Sequence, residues 1–301
     1  MPLKITRASD PIPVERLNVV IYAPPGIGKT SLAFTADAPL LLDFDNGAHR
    51  AANRKDTVRV TAWNEVTGLS EDDLAPYKTV IVDTAGRALD ALTADIIRTD
   101  PKGHKNGALT LPGYGVLKNR FGQFLKLLNS FDKDVVLIAH KDKQRNGDDR
   151  IERLDIQGGS KGEIYKAADA MGRIAMENGQ RWLKFSPSDA SFGKNPGQLE
   201  PLKIPHHTSP EFDGYLGRVI QQIKDRLNEM TEEQREAAAE QQWFREALPK
   251  INDAAGVNEL MDRAKAGGQA CKALLNARAT ELGLSFDKAA GAYVATEKEA
   301  A

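Results

Sequence analysis

One octapeptide constrains this chain more than any other feature. Residues 23–30, Ala23-Pro24-Pro25-Gly26-Ile27-Gly28-Lys29-Thr30, follow the apolar run 17–22 and precede the helix-forming Ser31-Leu32-Ala33-Phe34. A Gly-x-Gly-Lys-Thr turn between strand and helix has the Walker A form. Its glycines let backbone N–H groups turn inward on phosphate oxygens, and the N-terminus of the next helix adds positive potential. The motif predicts that Pro25, Gly26, Ile27, Gly28, Lys29, Thr30 and Ser31 hold a nucleoside triphosphate. Lys29 would reach the β- and γ-phosphates and the Thr30 hydroxyl would ligate Mg²⁺. Ala23 departs from the strict pattern, which has glycine there.

A phosphate loop of this kind requires an acid at the end of a neighbouring apolar strand. Thr79-Val80-Ile81-Val82-Asp83 supplies it, which makes Asp83 the second Mg²⁺ residue, with Thr84 beside it. Further apolar runs at 40–44 and 135–139, with helical stretches between them, predict an α/β fold around a parallel sheet covered on both faces. Segments 171–177 and 181–186 flank Asn178-Gly179, a hairpin signal. From about 209 the period becomes helical. Thr231 with Gln234 has capping-box spacing, which predicts a helix over 232–248 that Pro249 ends, followed by helices at 257–266 and 270–282 and a polar tail. These changes divide the chain into a core, 1–225, and a helical C-terminal region, 226–301.

Composition narrows the remaining choices. The 301 residues carry a formal net charge of −1, so no global field marks a nucleic-acid or membrane surface, and such a surface must be local. No apolar run approaches a membrane span, and the N-terminal stretch lacks an apolar leader core, which predicts a cytoplasmic protein with no membrane partner. The single cysteine, Cys271, excludes an intramolecular disulfide and a cysteine-based zinc cluster.

Two nucleotide classes stay open on the residues. Asp83-Thr84-Ala85-Gly86-Arg87 is similar to the switch of signal-recognition-particle GTPases. The later strand end, Ala139-His140-Lys141-Asp142, lacks their guanine-reading pattern, which favours ATP. Taken together, the motif order resembles the RecA/RadA recombinase core, and more narrowly the phage-encoded RecA-like proteins credited with single-strand annealing. The resemblance covers roughly 15–225 and implies a P-loop NTPase, RecA-like, with a mostly parallel sheet and a terminal β-hairpin.

The same resemblance implies ATP and Mg²⁺ as ligands and hydrolysis coupled to single-stranded DNA. It also implies a homo-oligomer, ring or filament, in a host bacterial cytoplasm, with a single-strand-binding protein as a further partner. An acid ending the strand after the phosphate-loop helix would activate water; Asp45 matches that place, with Asp43 as the alternative. His140 would sense the terminal phosphate, and Lys194, in Gly193-Lys194-Asn195-Pro196, would reach a neighbouring subunit's nucleotide. DNA would meet two loops. The first, 98–116, opens an acid-free stretch, 101–126, that holds Lys102, Lys105, Tyr114, Lys118 and Arg120. The second, 141–160, holds Lys143 and Arg145 among mixed charges and closes on Gly158-Gly159-Ser160. The competing reading is an ATPase that loads or remodels another protein without touching DNA.

Overall fold

The computed structural model describes residues 13–146, 149–156, 160–188 and 191–295. The chain divides into two compact units, Val14–Leu227 and a second that contains Asn228 onward.

The first unit begins with β1 (Asn18–Ala23), α1 (Lys29–Ala33), β2 (Pro39–Asp43), β3 (Thr57–Arg59), α2 (Glu71–Leu74) and β4 (Thr79–Asp83). Next come α3 (Ala85–Thr99), a small hairpin of β5 (His104–Lys105) and β6 (Ala108–Leu109), and α4 (Leu111–Ser130). The remainder is β7 (Asp134–Asn146), β8 (Asp149–Leu154), α5 (Ser160–Ala167), β9 (Ala170–Glu177), β10 (Gln180–Lys184), β11 (Leu202–Lys203) and α6 (Tyr215–Ala247), whose last part belongs to the second unit.

The main sheet has the order β11-β10-β9-β1-β7-β4-β2-β3. From β9 to β3 every pairing is parallel, whereas β10 and β11 join antiparallel. The molecule therefore has an α/β P-loop NTPase fold with a mixed, mostly parallel sheet and C-terminal helices. The near-continuous apolar runs have a direct cause. In β1, Val20 and Tyr22 enter one core while Val19, Ile21 and Ala23 enter the other, and β4 and β7 divide in the same way. A strand buried on both faces has no polar side to alternate. The first core centres on Trp63, whose ring meets Phe124 edge-on at 5.1 Å and Phe121 at 6.4 Å. The second takes Leu216, Val219, Ile220 and Ile223 from α6, one helical stripe.

Several expectations need correction. The stretch 141–160 is not wholly a loop: β7 runs on to Asn146 and pairs antiparallel with β8. The register sets Asp142 opposite Arg153 and Lys143 opposite Glu152, but also Arg145 opposite Arg150, so the charges of that stretch fall on two facing strands of one ribbon. Gly158 and Gly159, expected to close the loop, lie outside the described residues. Helix α4 starts at Leu111, capped by the Thr110 side chain, which puts Tyr114 in its first turns instead of on a glycine loop. Thr231 opens no helix, because α6 already runs from Tyr215 through it; good helix formers lie on both sides and no proline intervenes. Asn178-Gly179 does turn as expected, with φ of 49° and 74°.

In the second unit, α7 (Ala254–Glu259), α8 (Met261–Ala266) and α9 (Gly268–Glu281) pack with the end of α6 around Phe244, Leu248, Val257 and Leu275. Cys271 lies in this core as a packing group. The tail read as polar forms a hairpin, β12 (Leu284–Asp287) with β13 (Ala292–Ala295).

One buried carboxylate secures the base of the sheet. Asp134 accepts from the Leu17 backbone N–H at 2.8 Å and from Lys224 Nζ of α6 at 2.7 Å, and both members of the ion pair are 12% exposed. Asp134→Ala leaves a buried ammonium and an amide without their acceptor, so stability should fall by roughly 3 kcal/mol, the low end for breaking a buried pair. Urea denaturation measures it, and a loss below about 1 kcal/mol, the range of an exposed pair, would contradict this account.

Candidate nucleotide site

The phosphate loop turns on two left-handed glycines, Gly26 at φ 79° and Gly28 at φ 94°, conformations that side chains resist. Gly28 caps α1, so that helix's N-terminal amides open onto the loop. Gly28 also faces a neighbour: a Cβ there would lie 2.7 Å from Arg181 Nη1. The Arg181 guanidinium donates to Ile27 O at 3.2 Å and to Pro205 O at 2.9 Å, which pins the loop to β10. Sequence reasoning missed Arg181, since nothing in its local pattern announces a partner 154 positions away.

Parallel register brings the other groups to the same edge. Ala23 aligns with His140, and Asp43 with Asp83. Lys29 Nζ donates to Ala23 O at 3.2 Å and Pro24 O at 2.9 Å, and lies 3.1 Å from His140 Nδ1. Thr30 Oγ1 donates to Asp83 Oδ2 at 2.6 Å. A cavity of about 300 Å³ is lined by Gly26, Lys29, Thr30, Asp45, Asp83 and His140, among others. Two larger clefts, of about 900 and 670 Å³, contain no phosphate-loop residue.

The two candidate acids separate clearly. Asp43 is buried and accepts from the backbone N–H groups of Gly47 at 3.1 Å and Ala48 at 3.0 Å, which commits it to holding a turn. Asp45 lines the cavity, with its carboxylate 3.5 Å from Arg50 and 3.5 Å from Arg87. Ser31 supports the same turn by accepting from Ala52 N at 3.1 Å.

Charge at this edge is held at a cost. Burial lowers Lys29 to about 8, against the opposing pull of Asp83 and Asp45. Burial raises Asp83 to about 6; the Thr30 bond opposes this, while Asp43 and Asp45 add to it. His140 is lowered by burial and then by the Lys29 charge, so a neutral ring accepts from the ammonium through Nδ1 and keeps its proton on Nε2. The Thr30 hydroxyl and the Asp83 carboxylate form an all-oxygen pair that suits Mg²⁺. Among the described residues no group of three or more His, Cys, Asp or Glu could hold a metal. Phosphate oxygens and water would complete the shell, as Mg²⁺ prefers.

The remaining candidates lie elsewhere. Lys102 and Lys105 are exposed, and so is Tyr114. Lys118 pairs with Glu163 at 3.1 Å, and Arg120 with the buried Asp95 at 2.6 Å. Lys143 and Arg145 are on β7, with side chains outside the described ones. Lys194 Nζ donates to Ala168 O at 2.6 Å, and its backbone bridges to Met171, so the chain itself engages this lysine. Among the described residues no helix is long and apolar enough to cross a membrane.

The AAA domain family matches residues 15–196, which span the loop, β4 and β7. The chain belongs to that family. Among solved structures, this AAA domain is similar to a KaiC-like protein from Pyrococcus horikoshii OT3, at 11% identity and a TM-score of 0.35, covering 63% of this chain and 89% of that one. It is also similar to an ATP synthase subunit from Nanoarcheaum equitans, at 11% identity and a TM-score of 0.33, covering 89% of this chain and 72% of that one. No curated protein matches.

The raised Asp83 carboxyl gives a pH test with a definite sign. A carboxyl whose folded pKa, about 6, lies above its unfolded value makes the fold less stable as pH rises through that window. Asp83→Asn mimics the protonated form. It should raise the melting temperature at pH 7, and the gain should fade as pH falls through 6 towards the unfolded value near 4. It should also abolish Mg²⁺-dependent triphosphate affinity. Paired thermal melts at several pH values check the sign, and a variant less stable than wild type at pH 7 would contradict it.

Proposed function

We propose that this AAA domain is a Mg²⁺-dependent ATPase that grips single-stranded DNA and works as a homo-oligomer in annealing or recombination. What carries the reading is one cavity that gathers the phosphate loop, Asp45, Asp83 and His140. In this reading the loop amides and Lys29 bind the phosphates, and Thr30 with Asp83 hold Mg²⁺. Mg²⁺, when bound, offsets the charge of the phosphate oxygens. Asp45 takes a proton from the attacking water, because Asp43 is occupied by backbone amides. His140 offers its Nε2 proton to a phosphate oxygen.

Support for the DNA role comes from continuity and exposure. Helix α3 starts directly after Asp83 and leads into the stretch with Lys102 and Lys105, and β7 runs from His140 to Lys143 and Arg145. Beside those lysines, Leu111 is 88% exposed and Tyr114 44%. Two lysines with an aromatic ring suit phosphates and bases of any sequence. Lys118 and Arg120 contribute less in this reading, since acids already hold them.

Replacing Lys102 and Lys105 together by Ala should weaken binding across all sequences and lower the salt slope by about 1.4, at about 0.7 for each single-strand contact. Tyr114→Ala should weaken binding roughly 10- to 100-fold through lost stacking and leave the slope nearly unchanged. The measurement is a titration of labelled oligonucleotide at several salt concentrations with a non-hydrolysable ATP analogue. No wild-type binding, or binding untouched by these changes, would remove the DNA role and favour an ATPase that remodels another protein.

A further inference from the structure

Arg50 is the one cavity-lining arginine among the described residues. It ends a short 3-10 turn, Ala48–Arg50, that is fixed at its start by Asp43 and just beyond its end by Ser31. Its side chain is 66% exposed, and its Nη2 lies 3.5 Å from Asp45 Oδ2. That separation is at the limit of a hydrogen bond, so little is lost when the guanidinium turns to another acceptor. Arg87 is equally far from Asp45, but its Nη1 already bonds Asp90 at 3.2 Å and it does not line the cavity.

Gly47 supplies the second, independent observation. Its φ is −107°, a conformation open to any residue, so the backbone does not require glycine. What a side chain there would change is the position of Arg50. A Cβ at Gly47 would lie 2.5 Å from Arg50 Nη2 and 3.5 Å from Asp45 Oδ2. The guanidinium thus lies directly over the missing side chain, beside the Asp45 carboxylate, and a methyl at 47 would displace it from the cavity wall.

We infer that Arg50 contacts the terminal phosphate of the bound triphosphate from within the same chain. In leaving Asp45 for that phosphate, it frees the carboxylate to orient water. The inference rests on the ATPase reading above and gives that site a charge-stabilising arginine of its own. A planar fork of donors suits phosphate oxygens on which charge builds, and one such donor is worth about 100-fold in turnover or more.

The test compares wild type, Arg50→Ala, Arg50→Lys and Gly47→Ala in two readouts: affinities for Mg·ADP and Mg·ATPγS by competition with a fluorescent nucleotide, and ATP turnover. Arg50→Ala should keep ADP affinity within about twofold, which also shows an intact fold, and weaken ATPγS about 10-fold, one charge-assisted contact. Turnover should fall about 100-fold. Arg50→Lys should recover part of the ATPγS affinity but little turnover, for want of the fork. Gly47→Ala should shift both readouts in the direction of Arg50→Ala with the guanidinium still present. Equal loss of ADP and ATPγS affinity, or an unchanged affinity ratio in Arg50→Ala, would overturn the inference. A wild type that hydrolyses no ATP would instead overturn the ATPase reading, and the affinity ratio would still decide Arg50.

Discussion

The parallel register of β1, β7, β4 and β2 is the constraint on which the site depends. It aligns Ala23 with His140, and Asp43 with Asp83, so groups from four separate strands meet at one carboxyl edge. No local preference could bring residues 23, 43, 83 and 140 together; burial of both sheet faces does it. A slip of one residue would turn each strand's core residues to the wrong face and carry the acids away from the loop. The two cores and the Asp134 anchor therefore protect the site's geometry as much as the fold's stability.

The site works against that stability. Asp83 is held in its ionised form against burial, and Lys29 likewise. Lys29 meanwhile bonds loop carbonyls and the His140 ring, and Asp45 lies between two arginines at 3.5 Å. A triphosphate with Mg²⁺ would offer anionic oxygens to Lys29, His140 and the arginine beside Asp45, and a cation to Asp83. That exchange is a physical reason for nucleotide binding to reorganise His140 and Asp45 together, and His140 continues directly into the β7–β8 ribbon.

Much of this was legible beforehand because the signals are local. Gly28-Lys29-Thr30 after an apolar run, Asp83 ending another, and Asn178-Gly179 each specify backbone or chemistry within a few residues. Where the outcome depended on distant partners, the sequence was mute. Asp43 and Asp45 are two positions apart at the same strand end, and only the fold shows that backbone amides at 47 and 48 occupy Asp43 while Asp45 lines the cavity. Lys118 and Arg120 read as free cations until Glu163 and Asp95 appear beside them. Arg181 and Arg50 carried no motif, and their places beside Gly28 and Gly47 show only once the chain is folded. Thr231 misled because capping-box spacing also occurs inside long helices, where the backbone already satisfies its own donors.

The central claim is that this AAA domain couples a Lys29-dependent ATPase to single-stranded DNA. Steady-state ATP hydrolysis by wild type and Lys29→Ala, each with and without single-stranded oligonucleotide, tests it most directly. The account predicts wild-type turnover that rises when DNA is added, and none above background in Lys29→Ala under either condition. A wild-type rate indifferent to DNA, or a Lys29→Ala rate equal to wild type, would contradict it.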